Sequence, residues 1–82
     1  MELKEEVFNF VAKSIANTFG VAQEEITKDT NISEDYNAKS VNFVQIIGEI
    51  EDEYGYDLNF MKYRAKQTVG EQVDYVVETI AE

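Results

Sequence analysis

The chain has 82 residues, 17 acidic against seven basic, a formal charge of −10 at pH 7 and 44% hydrophobic residues, with neither cysteine nor histidine. This composition excludes disulfides, thiolate zinc sites, thiol nucleophiles and imidazole bases, and its charge opposes nucleic acid and anionic lipid surfaces while attracting proteins with basic docking patches. A domain of this size buries only about 60% of the surface its unfolded chain exposes, so one modest core and no deep cleft is the expectation.

The N-terminal MELKEEVFNF lacks the basic start and apolar run of a signal peptide, and no later stretch has the length to span a membrane. A cytoplasmic monomer with a single domain over residues 1–82 is therefore expected. Proline is absent and glycine stands only at positions 20, 48, 55 and 70, which lets helices run long. Leu3, Val7, Phe10, Val11 and Ile15 repeat at helical spacing with Glu2, Glu6, Lys13 and Asn17 opposite, predicting a first helix that stops at Gly20. Residues 21–39 are rich in Gln, Thr, Asn, Asp and Ser and have no sustained period, so they predict a long loop tacked to the core by Ile26 and Ile32.

From Ser40 to Tyr54, Phe43, Ile46, Ile47, Ile50 and Tyr54 share one helical face while Asn42, Gln45, Glu49, Asp52 and Glu53 share the other. YGYD ends this second helix, and residues 59–66 have room for one or two further turns. TVGE, residues 68–71, has the spacing of a capping box, in which Thr68 and Glu71 satisfy each other's backbone donors. It opens a last helix that buries Val69, Val73, Val76, Val77 and Ile80. The fold class that follows is all-α, a small antiparallel bundle of three principal helices plus a short third helix, with a long loop between helices 1 and 2. Loops of that length in compact domains are uncommon and often functional.

Ser40 has two readings. Serine is a preferred N-cap that needs no further role; equally, a hydroxyl at a helix N-terminus suits a phosphate, because the dipole and unpaired N–H groups favour negative charge. A Ser–Lys catalytic pair with Lys39 is disfavoured, since adjacent helical residues do not face each other. Glu49, Glu51, Asp52 and Glu53 read as a solvated or docking surface rather than as acid chemistry. Asp29, Asn31, Ser33, Asp35 and Asn37 alternate as in a calcium loop, but Glu34 replaces the turn glycine and Ser40 the closing glutamate, so no metal site is expected. KYRAK, residues 62–66, reads as a solvated basic cluster. Val41 projects away from the buried stripe of its helix, beside Ser40, and is a candidate partner contact. Gly48 costs about 1 kcal/mol relative to alanine in a helix, and its small size near the rim of the stripe offers room for a partner or a bound chain.

The order of helix, long loop, serine at the start of an acidic helix, short segment and final helix resembles the acyl carrier proteins over almost the whole chain. FGVAQEEI looks like the end of their first helix, DTNISED like their loop, IGEIEDEYGYDL like their second helix and its exit, and TVGEQVDYV like the opening of their last helix. The resemblance implies that Ser40 receives 4′-phosphopantetheine from coenzyme A through a phosphopantetheinyl transferase, and that the arm's thiol holds acyl groups as thioesters. It implies a carrier and not an enzyme, working with acyl-transferring, synthase or ligase enzymes that present basic patches. The chain departs from the family around the serine. The usual Gly-x-Asp-Ser-Leu or Met reads Asn37, Ala38, Lys39, Ser40, Val41, and a common glutamate one turn on is Gln45. A specialised carrier recognised through Lys39, Val41, Gln45, Gly48, Glu49, Glu51 and Asp52 is the expectation. A carrier of aminoacyl or polyketide intermediates and an unmodified acidic interaction module remain alternatives.

Overall fold

A computed structural model describes residues 2–81. Five α-helices appear among them: α1 (Leu3–Phe19), α2 (Ile32–Asp35), α3 (Ser40–Tyr54), α4 (Phe60–Ala65) and α5 (Val69–Ala81), with a short 3₁₀ turn at Gln23–Glu25. The three long helices are those the periodicity predicts, and the short α4 fills the room for one or two turns left at residues 59–66. Phe10 meets Tyr54 edge-on, with ring centroids 5.8 Å apart, and Ser14 bonds Glu49, so rising numbers along α1 accompany falling numbers along α3 and the two run antiparallel.

One cluster of buried side chains draws on every long helix. Val7, Val11 and Ile15 of α1, Phe43, Ile46, Ile47 and Ile50 of α3, Tyr63 of α4, and Val69, Val73 and Val76 of α5 all belong to it. Ile26 and Ile32 pin the interhelical segment to the same cluster, as expected. Val77 and Ile80, expected to be buried, are only half-buried at the edge of the cluster.

Residues 21–39 are more ordered than an unpatterned loop. Asn31 Oδ1 accepts from the N–H groups of Ser33 and Glu34, both at 3.1 Å, and Asp35 Oδ2 accepts from Asn31 N–H at 3.1 Å. Two of the five alternating residues, Asn31 and Asp35, therefore use their side-chain oxygens to tie the single-turn α2. Phe19 and Tyr36 stack at 5.3 Å and close the segment against the end of α1.

The capping box of α5 forms as its spacing predicts: Glu71 N–H donates to Thr68 Oγ1 at 3.2 Å, and Thr68 N–H donates to Glu71 Oε1 at 3.1 Å. The next two N–H groups reach across to the loop, Val69 to Thr30 O and Gly70 to Lys28 O, both at 2.9 Å. A Cβ on Gly70 would lie 3.0 Å from Lys28 O, so a larger residue here would push the Lys28 backbone back by a few tenths of an ångström. At the other end of α3, Gly55 takes φ 73°, and its N–H closes on Glu51 O at 2.8 Å.

Gly48 has a different status. It is helical, and a Cβ there would meet nothing within 4 Å. Gly48→Ala should therefore raise stability by about 1 kcal/mol, the difference in helix propensity. Thermal unfolding followed by circular dichroism checks this, and a lowered midpoint would show that the position needs its small size even in the isolated chain.

Candidate functional site at the start of helix α3

The approach to α3 is shaped by Asn37, a non-glycine residue at φ 54°. Asparagine tolerates this left-handed conformation better than most side chains, so the departure from the family's glycine preserves the turn. Lys39 follows in an extended conformation (φ −104°, ψ 171°) and is the N-cap residue, which makes Ser40 the first residue inside the helix. Of the two readings of Ser40, that of a plain N-cap does not hold, since Lys39 takes that position. Asn42 does part of that work from within the first turn, with its Oδ1 accepting from Lys39 N–H at 2.8 Å. Among the described residues no side chain accepts from the first N–H groups of α3, so the end of a 15-residue helix is open beside the exposed Ser40.

The hydroxyl has one partner that sequence reading missed. Arg64 Nη1 donates to Ser40 Oγ at 2.6 Å, and the guanidinium carbon lies 5.4 Å from the centroid of the Phe43 ring. Phe43 meets both Phe60 and Tyr63 edge-on at 6.4 Å, so the aromatic packing that seats α4 on α3 also places Arg64 over the serine. The KYRAK cluster is therefore not merely solvated. No local spacing could reveal this pair, 24 residues apart; the only hint was a run of bases in an acidic chain.

Other expected residues divide by exposure. Lys39, Val41, Gln45 and Asp52 are exposed, Val41 to 69%. Val44 and Met61, not singled out from sequence, are also open, at 58% and 72%. Gly48, Glu49 and Glu51 are half-buried. Glu49 leaves the solvated face it was expected to share, because α1 packs against that flank and the buried Ser14 hydroxyl donates to Glu49 Oε1. A buried donor needs an acceptor, and this carboxylate is it. Glu51 Oε2 accepts from Leu58 N–H at 2.8 Å and holds the exit from α3 to the helix end.

Lys39 Nζ donates to Asn37 Oδ1 at 3.4 Å, so the lysine folds back along the loop. With no Asp, Glu or His anywhere in residues 36–48, the segment offers no base for the hydroxyl. A groove of about 500 Å³ lies elsewhere, lined by Phe8, Ile26, Lys28, Gly70 and Val73 among others and by no residue of α3 or α4. Under α4, Tyr63 Oη and Gln72 Oε1 are buried without hydrogen-bond partners, and burial pushes the Tyr63 phenol well above its usual range. The site is thus an accessible nucleophilic oxygen flanked by an open helix N-terminus and a guanidinium, which suits a covalently held anion.

A family model described as the phosphopantetheine attachment site matches residues 9–76. An acyl carrier protein of Lactobacillus johnsonii is 37% identical over 73 residues, which are 89% of this chain and 91% of that protein. Another, from Lactobacillus acidophilus, is 36% identical over the same shares of both. Among solved structures, an acyl carrier protein from Enterococcus faecalis superposes with a TM-score of 0.73 at 37% identity, covering 93% of this chain and 96% of that one.

Proposed function

We propose that this chain, which belongs to the acyl carrier protein family, carries its 4′-phosphopantetheine on Ser40 as a single-domain, cytoplasmic, specialised carrier. Members of this family are carriers and not catalysts, and they work with synthase and transferase enzymes. The observation that supports Ser40 most directly is its exposed hydroxyl at the first residue of a 15-residue helix, with the Arg64 guanidinium 2.6 Å away.

The residues fit the group. A phosphodiester on Ser40 would place its negative charge beside the unpaired N–H groups of α3 and beside Arg64, both of which favour an anion there. When bound, the arm supplies a terminal thiol that holds an acyl group as a thioester. What the chain itself contributes is position: Asn37 sets the turn, Asn42 ties the first turn of the helix, and Phe43 holds α4 so that Arg64 stays over the attachment oxygen. Deprotonation of the hydroxyl falls to the transferase, because the segment around Ser40 carries no base.

A specialised role is supported by the substitutions around the serine. Lys39 stands at the N-terminal end of α3, and no acidic residue occupies the first turn. Among the described residues no helix is long and apolar enough to cross a membrane.

The intact mass of the protein recovered from its native cell tests this reading. A mass increment equal to phosphopantetheine plus a cargo, mapped by fragmentation to the peptide containing Ser40, is the expected result, and the excess over the bare arm distinguishes a simple acyl group from an aminoacyl or polyketide intermediate. Recovery of only unmodified chain across growth conditions would sink the carrier reading in favour of an interaction module.

A further inference from the structure

Arg64 is an arginine without a carboxylate partner. The chain holds 17 acids, yet residues 36–48 and 58–70, the two segments that meet at Ser40, contain none of them, and among the described residues Arg64 makes no ion pair. Its Nη1 donates to Ser40 Oγ at 2.6 Å, and its guanidinium carbon lies 5.4 Å from the centroid of the Phe43 ring, which steadies the group over the serine. A guanidinium is a planar fork of N–H donors suited to a pair of anionic oxygens, and one neutral hydroxyl uses little of that capacity.

The helix that carries Arg64 is lightly held. α4 has six residues, too few for a helix to persist without packing. Asn59 caps its start, accepting from Lys62 N–H at 2.9 Å, and Tyr75 Oη accepts from Asn59 N–H at 2.9 Å. Among the described residues the buried Tyr63 Oη of α4 and Gln72 Oε1 of α5 have no hydrogen-bond partner, which works against the packing beneath the helix. The Arg64–Ser40 bond ties the C-terminal half of α4 to the start of α3. Both side chains are exposed and water competes for them, so this tie is weak while Ser40 is a free hydroxyl.

We propose that Arg64 is a positioning residue that couples the loading of Ser40 to the order of α4. A phosphodiester on Ser40 turns the weak hold of Arg64 on the hydroxyl into a charged one, and so fastens α4 to the start of α3 in the loaded chain and not in the unloaded one. The proposal rests on the carrier reading for the identity of the anion.

Its physical basis is the difference between the two acceptors. A guanidinium meets a phosphate through paired hydrogen bonds with charge on both sides, which are stronger than its single bond to a neutral oxygen. The unesterified phosphate oxygens belong to the phosphorus bonded directly to Oγ, so the new acceptors arise next to the atom that Arg64 already contacts. Lys39 and the open N–H groups of α3 also attract the phosphate. Neither belongs to α4, so neither transmits loading to that helix.

The test compares amide hydrogen exchange in the full-length chain before and after loading with coenzyme A, Mg²⁺ and a phosphopantetheinyl transferase. The reporters are Tyr63 and Lys66, whose N–H groups donate to Asn59 O and Tyr63 O. Loading should slow their exchange by about three- to tenfold. In Arg64→Gln the ratio of unloaded to loaded rates should fall close to unity, and Arg64→Lys, which keeps the charge and loses the paired donors, should recover part of it. Lys62→Gln removes the same charge two residues away, on another side of α4, and should leave the ratio at its wild-type value. A merely structural role for Arg64 would change exchange in both forms alike and leave their ratio intact.

A second measurement needs no transferase. In the full-length chain with Ser40→phosphoserine, introduced during translation, phosphorus NMR reads the pH at which the phosphate loses its second proton, ordinarily about 6. The neighbouring guanidinium favours the doubly charged form and lowers this midpoint, so adding Arg64→Gln should raise it by about 0.3–0.5 pH unit. Equal exchange ratios in wild type and Arg64→Gln would overturn the proposal, as would equal phosphate midpoints with and without that substitution. A chain that no transferase loads, and whose phosphoserine form shows both the Arg64-dependent midpoint and slowed exchange in α4, supports the coupling and refutes the carrier reading alone. A chain that is loaded while its exchange ratio ignores Arg64 refutes the coupling alone.

Discussion

Ser40→Ala is expected to abolish attachment of phosphopantetheine completely while leaving the fold intact. The two halves of that expectation come from one structural detail. Had Ser40 been the N-cap, alanine would cost about 1 kcal/mol; instead Ser40 is the first helical residue, exposed, and Asn42 makes the hydrogen bond that ties the first turn. Alanine is the best helix former and leaves no buried group unpaired at this position, so the stability change should stay within about 0.5 kcal/mol. Arg64 loses an acceptor, but its guanidinium is exposed and water replaces the bond. Incubation of wild type and variant with coenzyme A, Mg²⁺ and a phosphopantetheinyl transferase, read by intact mass, checks the first half, and urea unfolding checks the second. An adduct persisting in a folded Ser40→Ala chain would place the attachment elsewhere; Ser33 and Ser14 are the other serines, the latter buried and bonded to Glu49.

Phe43→Ala should be the most damaging single change to stability, at about 3–5 kcal/mol. Phe43 is 1% exposed and joins α3 to α4 through edge-on contacts with Phe60 and Tyr63. Its removal leaves a cavity under a helix of only six residues, too short to persist without that packing. Small domains have about 5–15 kcal/mol in total, so the variant should sit near the folding threshold. Arg64 would also lose the ring it lies over, loosening its hold on Ser40. Denaturant titration of Phe43→Ala beside Phe43→Leu and Val44→Ala measures the effect. Leucine should recover a large part of the loss, and the exposed Val44 should cost about 0.5 kcal/mol or less. Equal midpoints for Phe43→Ala and Val44→Ala would mean that the core does not depend on this ring.

The three long helices are legible in the amino-acid order alone, because their signals are local. An apolar residue every three or four positions, a glycine after the last turn of α1, and Thr68 three residues before Glu71 each act through backbone geometry within one or two turns. The exposure of Val41 follows from the same arithmetic. Loop order is less legible. Asn31 and Asp35 have the residue types of a cation site and of a helix cap alike, and only the short helix between them shows which role they take.

Within the candidate site, residue types and helix position offer Ser40 two roles, and family resemblance favours attachment. The tertiary structure decides which residue caps α3, which carboxylates stay free to meet a partner, and which cation reaches the hydroxyl. Glu49 is a surface residue by its own helix's periodicity, yet Ser14, 35 residues away, claims it once α1 packs alongside. Arg64 belongs to a basic run with no evident target until Phe43, Phe60 and Tyr63 dock α4 beside the start of α3. Composition and periodicity determine which faces must be buried, since burial of apolar area depends only on where such residues recur along each element. Pairings between polar groups on different elements depend on how those faces are stacked, and a distance-limited interaction such as a hydrogen bond exists only once the stacking is complete.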